Sequence, residues 1–301
     1  NIDLRISTIP TIYGEKAVIR ILDQSNFLLS KEKLGFTEEN LEKFNELLKN
    51  THGIILVTGP TGSGKSTTLY AMLNELNRES VNIITIEDPV EYRMEGINQI
   101  QVNPKAGLTF AAGLRAIVRQ DPDIIMVGEI RDSETAEIAI RSAITGHLVL
   151  STLHTNDAVS AISRLIDMGI EPYLISASLV GVISQRLLRK VCSNCRVPYE
   201  IEPHHLAVPG FEELAGVTLY RGKGCSACNH TGYKGRVPVH EILVVSRQHR
   251  QLIAQKAPID EIRDLSIKMG MSTLKEECIK LVRRGVTTID EVIRVSYSQD
   301  G

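Results

Sequence analysis

The chain contains no tryptophan, and aromatic residues make up only 4% of its 301 positions. Exposed rings that stack on successive bases, the usual platform for single-stranded nucleic acid, are therefore not a theme of this sequence. A charge excess is also missing: 34 Lys and Arg stand against 36 Asp and Glu, a formal net charge of −2. Sequence-independent nucleic-acid binders carry a basic field, so direct nucleic-acid contact is not expected, although a local patch is compatible with the total. No apolar run approaches the roughly 20 residues that span a bilayer. The longest, Leu174 to Ile183, is interrupted by Ser176, Ser178 and Gly181. There is no secretory leader pattern, internal repeat or low-complexity segment. Cysteines number five, four of them in two Cys-x-x-Cys pairs, which in a reducing compartment points to metal rather than disulfide. The chain begins at Asn1, without methionine and already inside an alternating stretch. This sets the expectation of a fragment whose N-terminal targeting or docking region lies outside it.

What is present is ordinary for a soluble protein of about two domains, with 43% hydrophobic and 23% charged residues. Ile2–Ile6 and Lys16–Ile21 alternate apolar and polar residues, with Pro10 and Gly14 between them, and predict two strands joined by a loop. Leu28–Phe36 reads as a linker. Thr37 is placed to cap a helix through Lys49, with Leu41, Phe44, Leu47 and Leu48 on one face. Strands are then expected at Ile54–Thr58, Asn82–Ile86, Ile124–Val127 and Leu148–Leu153. They alternate with helices at Lys65–Asn77, Phe110–Val118, Glu134–Ala143 and Ala158–Met168. That alternation implies an α/β fold with a mainly parallel sheet. Residues 191–235 are irregular and rich in Gly, Pro and Cys, and helical pattern resumes from Pro258. Thr273-x-x-Glu276 and Thr288-x-x-Glu291 are candidate capping boxes.

The sharpest motif is Gly59-Pro60-Thr61-Gly62-Ser63-Gly64-Lys65-Ser66-Thr67, which fits Gly, four residues, Gly-Lys-Ser/Thr. Glycines let successive backbone N–H groups surround phosphate oxygens. Lys65 then reaches the β- and γ-phosphates, and the Ser66 hydroxyl ligates magnesium. The alternative is a glycine turn that binds nothing, but an apolar strand precedes the motif and a helix follows it, as a nucleoside-triphosphate site requires. Two stretches offer carboxylates for hydrolysis. Glu87, Asp88 and Glu91 follow one strand, and Glu129 ends another, where such enzymes place a water-activating or magnesium-organising acid. The usual Asp before that Glu is Gly128. Solvated strand-end charge is the plainer reading of Glu87, Asp88 or Glu91 taken singly. His154, at the end of another apolar strand, is placed to touch the γ-phosphate, as Thr152 is, or is simply structural.

Cys192-Ser-Asn-Cys195 and Cys225-Ser-Ala-Cys228 form two knuckles of the kind that builds a tetrahedral structural zinc site, with disulfides or free core thiols as alternatives. Cys278 fits helix packing. His204 and His205 read as exposed loop, and His230, two residues after Cys228, is an alternative ligand that four cysteines leave unneeded. Arg186, Arg189 and Lys190 read as a solvated face or a subunit contact, and Arg283 and Arg284 as surface charge.

Together these stretches resemble the type II secretion and type IV pilus assembly ATPases, hexameric motors. The family's phosphate loop (59–67), aspartate box (85–92), atypical second Walker motif (123–132) and histidine box (145–157) all occur in order. Gly128 is itself that family's habit. The resemblance implies a RecA-like core preceded by the end of a PAS-like domain, with a tetracysteine zinc insert and a C-terminal helical region. The corresponding boundaries are 1–27, 28–50, 51–190, 191–235 and 236–301. It implies that Arg5 and Arg20 of the hairpin approach the γ-phosphate, and that Arg115 and Arg131 belong to the nucleotide site. It further implies ATP or ADP, Mg2+ and Zn2+ as ligands, a homohexamer, and an inner-membrane platform protein as partner. Membrane association would be peripheral, at the cytoplasmic face. The tetracysteine element marks assembly and secretion motors within the family. Alternatives are a nucleic-acid uptake or conjugation motor of the same superfamily, and a nucleotide-gated scaffold without turnover.

Overall fold

The computed structural model describes residues 2–23, 30–206 and 208–297, apart from the side chains of residues 2, 3, 5, 20, 22, 23, 296 and 297. Strands β1 (Ile2–Thr11) and β2 (Gly14–Asp23) pair antiparallel, in register from Ile2 with Asp23 to Thr11 with Gly14. The hairpin is longer than its alternation suggests, and Pro10 lies inside a strand rather than in the loop. Helix α1 (Glu38–Leu47) follows. Its Thr37 cap accepts from the Asn40 amide at 3.3 Å, which satisfies one of the open N–H groups of the first turn.

The body is a seven-stranded sheet. In chain order its strands and helices are β3 (Gly53–Thr58), α2 (Lys65–Leu76), β4 (Ile83–Glu87), β5 (Asn98–Gln101), α3 (Phe110–Ile117), β6 (Ile124–Val127), α4 (Ser133–Ile144), β7 (Leu148–Leu153), α5 (Ser160–Asp167), α6 (Pro172–Ser178) and β8 (Leu179–Val191). After β8 a smaller two-stranded sheet pairs β9 (Arg196–Tyr199) with β10 (Leu219–Gly222), and α7 (Pro203–Leu206) lies between them. Strand β11 (Tyr233–Val244) returns to the main sheet. Helices α8 (Arg247–Ala254), α9 (Ile259–Lys268), α10 (Leu274–Arg283) and α11 (Ile289–Tyr297) complete the chain. The spatial order is β11-β8-β3-β7-β6-β4-β5. All neighbours are parallel except β11, which runs antiparallel to β8.

Alternate residues of the central strands feed two cores, one on each face. Ile54, Leu56, Ile86, Val127, Val149 and Val182 pack on the face covered by α3 to α6. Ile55, Val57, Ile83, Met126, Leu150 and Ile183 pack with α1 and α2 on the other. A third core joins Leu188 and Val239 to α10, α11 and the segment around Phe211. This burial on both faces explains the unbroken apolar runs in the sequence. No described helix is long and apolar enough to cross a membrane.

Candidate functional site

Strand β3 ends at Thr58 and α2 begins at Lys65, so the glycine-rich stretch is the loop between them, at the carboxyl edge of the sheet. Gly59, Gly62 and Gly64 have φ of 141, 80 and 90°, conformations that side chains other than glycine resist. A Cβ at Gly59 would also stand 2.4 Å from the Gln185 carbonyl oxygen. Gln185 of β8, which sequence reasoning did not single out, fixes the loop from below. Its Nε2 donates to the Ser63 carbonyl at 2.7 Å, and its Oε1 accepts from the Thr68 hydroxyl at 2.6 Å. Lys65 Nζ donates to the carbonyls of Gly59 at 2.8 Å and Pro60 at 3.1 Å, folding back across its own loop. Burial draws that ammonium down to about 8, against the attraction of Glu129 and with help from Arg186. Ser63 Oγ is buried with no hydrogen-bond partner among the described residues. A left-handed glycine cradle, a hydroxyl and an ammonium that, among the described residues, bond respectively to nothing and to carbonyls alone make a site that fits a phosphate chain.

The loop forms one wall of a cavity of about 550 Å³, which Ser66, Thr67, Glu87, Glu91, Glu129 and His154 also line. Glu129 follows β6, and its side chain is 16% exposed, enough to meet water. One carboxylate oxygen pairs with Arg131 Nη2 at 2.5 Å, and the other lies 3.8 Å from His154 Nε2. Burial and then the nearby Lys65 charge lower the His154 pKa, which favours the neutral ring. A Cβ on Gly128 would lie 3.4 Å from both Glu87 Cα and the Ile86 carbonyl. These are ordinary contact distances, so space alone does not account for glycine at this position.

Glu87 is buried, and its carboxylate is engaged throughout. It accepts from the Tyr70 hydroxyl, from Thr85 Oγ1 at 2.5 Å and from Gln99 Nε2 at 3.2 Å. The Tyr70 oxygen in turn accepts from the Glu91 amide at 3.1 Å. Glu87 thus anchors the segment that carries Glu91 to the cavity wall, a placement that strand-end position alone did not show. Arg131 lines the cavity, whereas Arg115 pairs with Glu134 on the surface outside it. Arg5 and Arg20 oppose one another in the hairpin register, and their side chains lie outside the described residues. Arg186 is not a solvated residue: it is buried, because β8 runs between β3 and β11 rather than along an edge. Arg189, three residues on, is exposed and pairs with Glu291 at 2.5 Å.

The four cysteine sulfurs of the 192–228 segment lie within 4.8 Å of one another, and none is in a disulfide. Three pairs are separated by 3.7, 3.9 and 3.9 Å. A tetrahedral zinc with bonds of about 2.3 Å needs sulfur–sulfur edges of about 3.8 Å, which these three edges match, so the donor set fits that ion. Burial pushes the Cys228 thiol up. The Cys225 amide at 3.2 Å and the Gly232 amide at 3.3 Å outweigh it and hold the group at about 6, favouring the ligating thiolate. His230 is exposed and lies outside the cluster.

Comparison with known proteins agrees with this geometry. The family described as type II/IV secretion system protein matches residues 1–294. The chain is 52% identical to a type IV pilus assembly ATPase, PilB, of Thermus thermophilus, over 97% of this chain and 33% of that protein. It is 50% identical to the type II secretion system ATPase E of Vibrio cholerae, over 98% of this chain and 58% of that one. It therefore spans about a third to three fifths of these relatives' length. Among solved structures, the pilus retraction motor PilT with bound ADP superposes with a TM-score of 0.71 at 33% identity, covering 97% of this chain and 73% of that one. With the phosphate loop, the carboxylates and the tetracysteine cluster in place on this fold, the chain belongs to the type II/IV secretion system protein family.

Proposed function

We propose that this chain is the ATP-hydrolysing part of a motor that drives type IV pilus assembly or type II protein secretion. The observation that carries the reading is one cavity at the carboxyl edge of a parallel sheet in which Lys65, Glu129 and His154 converge on the phosphate loop. The names of the relatives and the ADP bound to PilT support it.

Residues 59–67 would bind the triphosphate, and Lys65 would leave the Gly59 and Pro60 carbonyls for phosphate oxygens. Glu129 is the base that orients and deprotonates the attacking water. Arg131 holds one of its oxygens, and neutral His154 at the other is placed to sense the γ-phosphate. Glu87 acts as a positioning residue, through Tyr70, on Glu91. Magnesium, held through Ser66, would supply charge neutralisation at the β- and γ-phosphates. Arg5, Arg20 and Arg115 are proposed to complete the charge around the γ-phosphate only when the hairpin closes or a neighbouring subunit docks, which couples hydrolysis to domain position. Hairpin 1–27 would close a PAS-like domain, residues 51–190 would form the motor core, and the 191–235 insert would hold structural zinc. A homohexamer would then act on a platform protein at the cytoplasmic face of the inner membrane.

The test is ATP turnover by wild type and Glu129→Gln, with oligomeric state recorded on the same samples. Turnover confined to the ring, and reduced about 100-fold or more in the variant with nucleotide binding kept, is the expected result. Wild-type turnover by Glu129→Gln removes Glu129 as the base. A ring that binds ATP without turning it over points to a nucleotide-gated scaffold instead.

A further inference from the structure

The face of the sheet opposite α2 carries a buried polar cluster that the hydrolysis scheme leaves unused. Arg186 of β8 is opposite Val239 of β11, and Ser184 is opposite Glu241, so strand alternation puts Arg186 and Glu241 on one face. They are 3% and 2% exposed. Glu241 joins two distant elements: one oxygen accepts from the Ala158 amide at 2.7 Å, the other from the amide of Leu274, first residue of α10, at 3.0 Å. Arg186 Nη2 donates to the Asn156 carbonyl at 2.9 Å. Between them, Asp157 accepts from the Ser160 amide at 2.7 Å and from Arg263 Nη2 of α9 at 3.2 Å. Residues 156–158, which begin two positions after His154, are thus gripped by β8, α9 and β11 at once.

One part of this cluster is incomplete. Arg186 Nε and Nη1 are buried with no hydrogen-bond partner among the described residues. Burying a cation with open donors is costly, and such groups in native proteins ordinarily find acceptors. Burial works against the Arg186 charge, and Asp157 is its largest attraction, ahead of Glu241. Yet one Asp157 oxygen accepts from Arg263 and the other from the Ser160 amide. Asp157 follows directly on Asn156, whose carbonyl Arg186 already holds, so Asp157 with Arg263 and Asp157 with Arg186 are alternative pairings, and among the described residues only the first is formed.

We propose that Arg186 is a positioning residue for hydrolysis. Transfer of Asp157 from Arg263 to Arg186 would reset the segment behind His154 and, through Glu241 and Arg263, the helices α9 and α10. The state shown is the one in which Arg186 waits for that partner. The inference rests on the hydrolysis reading above.

The test compares kcat and KM for magnesium-ATP, with thermal unfolding, in wild type, Arg186→Gln, Asp157→Asn, Arg263→Ala and the Arg186→Gln/Asp157→Asn double variant. Arg186→Gln lowers kcat about tenfold with KM changed less than about twofold, and the double variant is no worse than the single one. Arg263→Ala, which removes the competing partner, keeps or raises kcat. A folded Arg186→Gln protein with wild-type kcat overturns the inference, as do additive losses in the double variant. Should Arg186→Gln not fold, the contrast between Asp157→Asn and Arg263→Ala decides: loss of kcat in the first alone supports the exchange, and equal effects overturn it. Absence of turnover in the wild type would sink the hydrolysis reading and this inference together. Turnover with unaffected variants sinks the inference alone.

Discussion

In the proposed hydrolysis, Lys65 is the side chain that ties structure to reaction. Its ammonium is bonded to two carbonyls of its own loop, and burial holds its pKa at about 8 instead of the ordinary 10.5. A lowered pKa means that the charge needed to meet phosphate is lost at a lower pH than in free lysine. We expect kcat/KM for ATP, which reports the free protein, to fall as pH rises through about 8. Phosphate near the ammonium favours its charged form, so kcat should hold to higher pH. Coincident alkaline limbs for the two parameters would show that Lys65 is not the titrating group. Lys65→Ala should abolish nucleotide binding or turnover, read by equilibrium binding of a fluorescent ATP analogue.

At the scale of an element, α11 departs from what its sequence suggests. Thr273-x-x-Glu276 forms both arms of a capping box at the start of α10. Thr288-x-x-Glu291 forms only one, from the Glu291 amide to Thr288 Oγ1 at 3.3 Å. The Glu291 carboxylate goes instead to the Arg189 amide at 2.9 Å, the Arg189 guanidinium and Arg294. It is fully buried. Burial alone would raise its pKa, but the bonds from Arg294 and Arg189 prevail and hold it at about 2. A carboxyl depressed in the folded state contributes stability above its ordinary pKa of 4.5, lost as pH falls towards 2. Both arginines are about half exposed and retain water when the acid is removed. Glu291→Ala should therefore cost about 2 to 3 kcal/mol at pH 7 in chemical denaturation. Its deficit against wild type should shrink between pH 4.5 and 2. A constant deficit across that range would mean that packing, not the charge, is responsible.

For the whole molecule, the thiol cluster is stitched to the body rather than hung from it. The Val191 amide donates to the Val286 carbonyl at 2.9 Å, and the Tyr233 hydroxyl lies 2.8 Å from Thr288 Oγ1. Loosening the insert should therefore loosen α11 with it. The protein should carry about one zinc per chain, held by Cys192, Cys195, Cys225 and Cys228. Removing it with a chelator should expose four titratable thiols and lower the melting temperature. It should leave nucleotide binding at residues 59–67 less affected than Lys65→Ala does. A metal-free protein with an unchanged melting temperature would exclude a structural role for the ion.

The phosphate loop, the strands entering it, the Thr37 and Thr273 caps and the two cysteine knuckles could be read from sequence because each is written within a few consecutive residues. Glycines at fixed offsets bend a loop whatever surrounds it, and a capping hydroxyl meets an amide three positions away. Local pattern thus specified an α/β protein with a glycine-rich loop between strand and helix and a metal-ready thiol set. Tertiary structure decided what depends on neighbours far along the chain. It placed β8 inside the sheet, so that Arg186 is buried and Gln185 supports a loop 122 residues away. It spent the Glu87 carboxylate on Tyr70, Thr85 and Gln99, left Glu129 partly open to water, and took Glu291 from its own helix cap to pair with Arg189. Local pattern fixes what a residue can do, whereas burial and the choice of partner, which only the packed sheet supplies, fix what it does.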